Sequence, residues 1–171
     1  RGPDNQSSVS VDDKFFGHAR LSIIDLDNRS NQPFQFLNYT IIFNGEIYNY
    51  KELIKLHSLQ VHTSSDTEVL LKMYIKYGRR CLQYLNGMFT FVIYNSRTNS
   101  IFVARDRLGI KPLYYRFINN KIIIASEINA ILSLKNDELS SFGLRQYKKL
   151  RMTIKRHTVY KNIKQFPPGH Y

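Results

Sequence analysis

The chain has 171 residues, 43% of them hydrophobic and 13% aromatic, enough for one domain that buries roughly 70% of its extended surface. No apolar run approaches the roughly 18 residues of a membrane span, the opening Arg1-Gly-Pro-Asp-Asn-Gln-Ser-Ser8 lacks a secretory pattern, and the single cysteine, Cys81, excludes an internal disulfide. A cytoplasmic protein is expected. The formal charge of +12 invites a nucleic-acid partner, but its distribution argues otherwise. Arg145, Lys148, Lys149, Arg151, Lys155, Arg156, Lys161 and Lys164 supply +8 after the last acidic residue, Glu138, leaving +4 for the first 138 residues. No nucleic-acid motif accompanies this basic tail, so solvent or a neighbouring domain is its expected surrounding.

In chain order, residues 14–24 read as a strand region leading into Arg20-Leu21-Ser22-Ile23-Ile24-Asp25, and residues 27–33 as a polar loop. Residues 39–43 form a strand that stops at Asn44-Gly45, and residues 50–57 a short helix. A brief strand is expected over residues 61–64. Ser65-Asp66-Thr67-Glu68 matches a capping box, with Ser65 as N-cap and Glu68 reaching back. Val69, Leu70, Met73, Tyr74 and Tyr77 then share one helical face, and Gly78 is the stop. A second short helix over residues 80–85 ends near Asn86-Gly87. Two hairpins follow, residues 89–94 with 101–105 and residues 113–117 with 121–126, then helices over 127–134 and 139–150 and a final turn from Phe166. Helices and antiparallel strands arrive in groups, without strict βαβ alternation. That pattern predicts the α+β class, with sheets packed face to face and helices outside.

The chemistry is narrowed by what the chain lacks. One cysteine and five scattered histidines give no zinc spacing, so no metal is expected. Neither a phosphate-binding GxxxxGK, a dinucleotide GxGxxG nor a GxSxG elbow occurs. Cys81, next to Leu82 in an amphipathic helix, reads as a buried structural thiol. Three polar clusters remain at the ends of apolar elements: Arg20 with Leu21, Ser22, Ile23 and Ile24; Asn44-Gly45-Glu46; and Ser65-Asp66. Turn preferences alone make Asn-Gly a turn more often than a site, and Asp66 could simply favour the positive end of its helix. Together the clusters suit a small amino acid: a guanidinium for its carboxylate, an aspartate for its ammonium, and the Asn-Gly donors for a negative oxygen.

Six segments stand in order. They are Gly17-His-Ala-Arg20-Leu-Ser-Ile-Ile-Asp25, Phe43-Asn-Gly-Glu-Ile-Tyr-Asn-Tyr50, Ser65-Asp66-Thr-Glu68, Leu85-Asn-Gly-Met-Phe-Thr-Phe91, Ala104-Arg-Asp-Arg-Leu-Gly-Ile-Lys-Pro-Leu-Tyr-Tyr115 and Ala125-Ser-Glu127. With Arg1-Gly-Pro-Asp4 and Pro167-Pro-Gly-His-Tyr171 they span the chain. The set closely resembles the glutaminase domain of glutamine-hydrolysing asparagine synthetases, class II glutamine amidotransferases of the N-terminal-nucleophile hydrolase type. The resemblance implies a four-layer αββα sandwich, here without its first strand. It implies that Arg20 binds the glutamine α-carboxylate, that the backbone of Leu21, Ser22, Ile23 and Ile24 lines the pocket, and that Asp66 binds the α-ammonium. It makes the Asn44 side chain and Gly45 amide an oxyanion hole whose wall Glu46 completes.

The family's nucleophile is a cysteine at the mature N-terminus, activated by its own α-amine. The chain begins at Arg1, so residues are expected to be missing from the front, and the 171 residues alone are expected to lack glutaminase activity. Residues 1–171 thus read as one incomplete glutaminase domain, with no cofactor of its own. A C-terminal synthetase domain using ATP and Mg2+ would receive the ammonia and amidate aspartate. The implied partners are glutamine, that synthetase domain and a second copy in a homodimer, with no nucleic acid and no membrane. Two other readings stay open at this stage: a related amidotransferase of surface-polysaccharide or secondary metabolism, and a catalytically dead basic binding module.

Overall fold

The computed structural model describes residues 2–171, and the chain divides into two compact units, the first running to Ala104 and the second spanning Arg105–Tyr171. In the first unit, β1 (Asn5–Val11) and β2 (Lys14–Arg20) form an antiparallel hairpin, with Asn5 opposite Arg20 and Val11 opposite Lys14. The sequence pattern marks β2 but not β1, whose Asn-Gln-Ser-Ser start has little β propensity. Next come a 3-10 turn at Asn28–Ser30, a short strand β3 (Phe34–Phe36) and the long β4 (Tyr39–Ile47). Helices α1 (Tyr50–Leu56) and α2 (Asp66–Tyr77) follow, then a 3-10 helix at Gly78–Gln83 and strands β5 (Gly87–Asn95) and β6 (Ser100–Arg105). The four strands make one sheet in the order β3-β4-β5-β6.

Alternation on β4 and β5 sends Ile41, Phe43 and Ile47 together with Phe89, Phe91 and Ile93 into the core that also holds Val69, Leu70, Leu71 and Met73 of α2. Each such side chain, fully buried, is worth about 1.5–3 kcal/mol. Tyr94 faces the other way, where Phe16 of β2 stacks on it at 5.9 Å and the Tyr94 hydroxyl donates to Asp12 at 2.5 Å. The hairpin is thereby anchored to β5.

Four expectations change at this level. β4 does not stop at Phe43: Asn44, Gly45 and Glu46 continue it to Ile47 and pair with Thr90, Phe89 and Met88. The strand persists because glycines let the two chains close. A Cβ on Gly45 would run into the Met88 carbonyl and stand 2.7 Å from Phe89 Cα, and one on Gly87 would run into the Glu46 carbonyl. Residues 61–64 are irregular, not a strand, because the N–H groups of His62 and Thr63 turn toward Glu68 and that of Ser64 toward Asp25. Ser65 caps α2 as expected, accepting from Thr67 N at 3.1 Å, but Glu68 does not reach back to Ser65. Its buried carboxylate accepts from His62 N, Thr63 N and Thr63 Oγ1 and pairs with Lys72 at 3.0 Å, while Ser65 N donates to Thr63 Oγ1. Finally, the helix expected over residues 80–85 is 3-10.

The second unit contains β7 (Tyr114–Ile118), β8 (Lys121–Ala125), α3 (Ile128–Leu134), α4 (Ser141–Leu150) and β9 (Lys164–Gln165), with an antiparallel sheet ordered β8-β7-β9. Its segment Arg105-Asp106-Arg-Leu-Gly109 is a fastening. The Arg105 guanidinium donates to the carbonyls of Lys111, Gly109 and Phe166, and the Asp106 carboxylate accepts from the N–H groups of Leu108, Ile110 and Lys111. No helix among the described residues is long and apolar enough to cross a membrane.

Candidate functional site

The site begins with the outer edge of β4. In an antiparallel ladder both backbone groups of a residue point to the same side, and the side alternates along the strand. Ile41 pairs with β3, and β3 ends there. Beyond it, Phe43 N donates to Gln32 Oε1 at 2.6 Å and Ile47 N donates to Asp66 Oδ2 at 2.9 Å. Residues 43 and 47 therefore turn their N–H groups away from β5, and the alternation aims the Gly45 N–H at the same side. Side chains take over this edge where β3 leaves it.

Asp66, the first residue of α2, is 5% exposed. Burial pushes its carboxyl up to about 6; the hydrogen bonds from Ile47 N and Thr67 N oppose that rise, and the neighbouring charge of Glu46 adds to it. Burial and the neighbouring glutamate both disfavour the charge on Asp66, so the position suits a bound cation. Asn44 and Glu46 are half-buried on the same strand, opposite Thr90 and Met88.

Arg20 ends β2 and is 6% exposed. One terminal nitrogen donates to Asn31 Oδ1 at 2.7 Å and to the Asp27 carbonyl at 3.1 Å; the other donates to the carbonyls of Ile24, at 3.2 Å, and Asp25. The guanidinium thus organises residues 24–31 from inside. Along the same loop, Leu21 and Ile23 are 62% and 72% exposed, and Ser22 N is held by Asp4 at 2.7 Å.

The loop reaches α2 through Asp25, a residue with positive φ whose Oδ2 accepts from Ser30 Oγ and Ser64 N, each at 2.7 Å. Burial disfavours its charge, but these bonds and that from Asp27 N outweigh burial and hold its carboxyl below the usual range. Hydrogen bonds therefore tie Arg20 to the Asp25 carbonyl and the Asp25 carboxylate to Ser64, two residues before Asp66, which in turn holds Ile47 N. The three clusters, 19 or more positions apart in sequence, stand within one unit of structure.

Cys81 is not part of this path. It is fully buried in the 3-10 helix after α2, and burial pushes its thiol up to about 12. A thiol so protonated is a packing group.

Sequence reasoning missed three participants. Gln32 bonds β4 and, through Nε2, Thr67 Oγ1 of α2 at 3.2 Å. His18 lies on the same face of β2 as Phe16 and Arg20, close to the Phe43 backbone; burial, above all, and the Arg20 charge keep its imidazole neutral. Gly87 supplies the close approach opposite Ile47. The available signals were the two-residue spacing from Arg20 to His18 and the second Asn-Gly pair. An open groove along the hairpin, lined by Gln6, Ser7, Ser8, Gly17, His18 and Ala19, touches the site only through His18.

Comparison with known proteins shows the family. The model of the glutamine amidotransferase domain matches residues 1–171, and the chain belongs to that family. It is 40% identical over 175 residues to the glutamine-hydrolysing asparagine synthetase 1 of Bacillus subtilis (strain 168), covering 99% of this chain and 28% of that protein. It is 34% identical over 186 residues to the putative glutamine-hydrolysing asparagine synthetase 2 of Methanocaldococcus jannaschii, covering 95% and 36%. Among solved structures, the glutamine phosphoribosylpyrophosphate amidotransferase of B. subtilis, complexed with ADP and GMP, superposes with a TM-score of 0.61 at 23% identity, over 90% of this chain and 31% of that one. At that identity the likeness concerns the fold, and it supports the α+β class read from the order of elements. The chain spans roughly a third or less of the length of most of these relatives.

Proposed function

We propose that residues 2–104 hold a glutamine-binding and oxyanion-stabilising site, and that the whole chain serves as the ammonia-releasing half of an asparagine synthetase-like enzyme. The observation that carries the reading is the outer edge of β4. There the Gly45 N–H lies between two N–H groups already taken, by Gln32 and by Asp66. In this reading the Gly45 N–H and the Asn44 side chain receive the oxygen that becomes negative when the glutamine amide carbon turns tetrahedral. Donors fixed in advance in this way lower the barrier because they need no reorganisation.

The ammonium of glutamine goes to Asp66. Binding a cation there relieves the repulsion from Glu46 and draws the carboxyl back to its ionised form. Arg20 takes the α-carboxylate by exchanging the neutral carbonyls of Ile24 and Asp25 for charged oxygens. That exchange is favourable because charge-assisted hydrogen bonds are roughly twice as strong as neutral ones. The backbone of residues 21–24, whose Leu21 and Ile23 side chains are exposed, would then line the ligand.

The attacking group is not Cys81, which is buried and protonated. The resemblance assigns that role to an N-terminal cysteine outside these residues, and assigns ATP, Mg2+ and the acceptor, aspartate, to a further domain of the same protein. Isothermal titration of the full-length protein with glutamine, beside Asp66→Asn and Arg20→Lys, tests the site. Binding that is unchanged in both variants would refute it.

A further inference from the structure

The segment bearing the oxyanion donors is held by a residue to which no role has been given. Gln32 is 7% exposed and lies between β4 and α2. Its Oε1 accepts from Phe43 N at 2.6 Å, and its Nε2 donates to Thr67 Oγ1 at 3.2 Å. Its own carbonyl accepts from Ser7 Oγ of β1, so the side chain is fixed at its root as well. Phe43 immediately precedes Asn44, and Thr67 immediately follows Asp66.

A primary amide joins one acceptor and one donor in a rigid plane. Here the acceptor meets the strand with the oxyanion donors and the donor meets the helix with the carboxylate. We infer that Gln32 is a positioning residue of the glutamine site, setting the distance between the Asn44–Gly45 donors and Asp66 so that one ligand meets both. This rests on the glutamine reading above. The structural need is specific, because β3 ends before Phe43 and no strand supplies the bond that Gln32 makes. A buried N–H left without that partner would draw the Phe43–Asn44 segment toward another acceptor, and donors displaced by even an ångström stabilise an oxyanion poorly.

The test uses the full-length protein and measures glutamine hydrolysis together with thermal melts. Gln32→Met keeps the side-chain volume and removes both bonds. Assayed well below its melting temperature, it is expected to lose about 10- to 100-fold in kcat, with KM changed by less than about threefold. Because Gln32 acts in part through Asn44, the loss in the Gln32→Met, Asn44→Ala double variant should be clearly smaller than the product of the two single losses, the non-additivity of residues that work as a unit. A folded Gln32→Met protein with kcat within threefold of wild type, or losses that multiply in the double variant, would overturn the inference while leaving the glutamine site standing. If Asn44→Ala itself hydrolyses glutamine normally, the site reading fails and this inference with it. Should Gln32→Met not fold, Thr67→Val removes only the helix-side bond. A drop of about 3- to 10-fold in kcat is then expected, and a wild-type value refutes the role.

Discussion

Asp66→Asn should make the protein more stable at neutral pH while removing its grip on the ligand ammonium. In the native state the carboxyl titrates near 6 instead of 3.8, chiefly because it is buried. A rise of about two pKa units corresponds to about 3 kcal/mol, the upper limit of what ionised Asp66 costs the fold at pH 7. The direction follows from proton binding. Between about 4 and 6 the folded state holds a proton that the unfolded chain has lost, so this residue's contribution to stability is greatest below about 4 and declines as pH rises through 6. Asparagine keeps an oxygen for Ile47 N and carries no charge. The variant should therefore match wild type near pH 4 and exceed it by about 1–3 kcal/mol at pH 7, or roughly 3–10 °C in melting temperature for a domain of this size. Thermal melts of both proteins at half-unit steps from pH 4 to 8 give the difference curve, and titration with glutamine at pH 7.5 gives the functional loss. A difference that is flat with pH, or an Asn variant less stable than wild type at pH 7, would refute the account of a strained, ligand-awaiting carboxylate.

Glutamine affinity should weaken as pH falls through 6, because the ammonium needs ionised Asp66; pH-independent binding between 5 and 7.5 would contradict this. Asn44→Ala should lose about 2.7–4 kcal/mol of transition-state stabilisation, read as a 10²- to 10³-fold drop in kcat with an unchanged melt. Gly45→Ala forces a methyl into the Met88 carbonyl, and Gly87→Ala forces one into the Glu46 carbonyl; each should cost about 1–3 kcal/mol or more, seen as an earlier urea midpoint. Glu68→Gln should lower stability at pH 7, by an amount that shrinks as pH falls below the usual glutamate range. The hydrogen bonds from Thr63 and His62 and the pairing with Lys72 hold the Glu68 carboxyl below its usual range despite burial, so its contribution is present above the unfolded pKa and lost as pH falls through the folded one.

Much of the element list was legible locally. Residues 39–43, 89–94 and 121–126 are dense in β-branched and aromatic residues, and the helical face of Val69, Leu70 and Met73 after Ser65 has the period of a buried helix. Two of the misreadings come from local signals overruled by other partners. Asn44-Gly45 carries the strongest turn chemistry in its region, yet β5 captures it as strand because Gly45 and Gly87 permit close approach. Ser65-Asp66-Thr67-Glu68 has the spacing of a capping box, yet Glu68 goes to residues 62 and 63, whose N–H groups have no strand partner.

The sequence by itself determined the family, because six short motifs in fixed order are carried by residue identity, and it nominated Arg20, Asn44, Gly45 and Asp66 by their chemistry. Only the tertiary structure decided how the elements that carry them are tied together. Arg20 holds the Asp25 carbonyl and Asp25 holds Ser64 in the turn before α2, Asp66 reaches β4 through the Ile47 amide, and Gln32 spans β4 and α2 a few residues away. Every one of those bonds joins a side chain to a backbone group or hydroxyl that local structure leaves unpaired, at a strand edge, a loop or a helix start. Which groups are left unpaired depends on where β3 ends and how closely β4 approaches β5, and that is fixed by packing across the whole unit, not by any single stretch of chain.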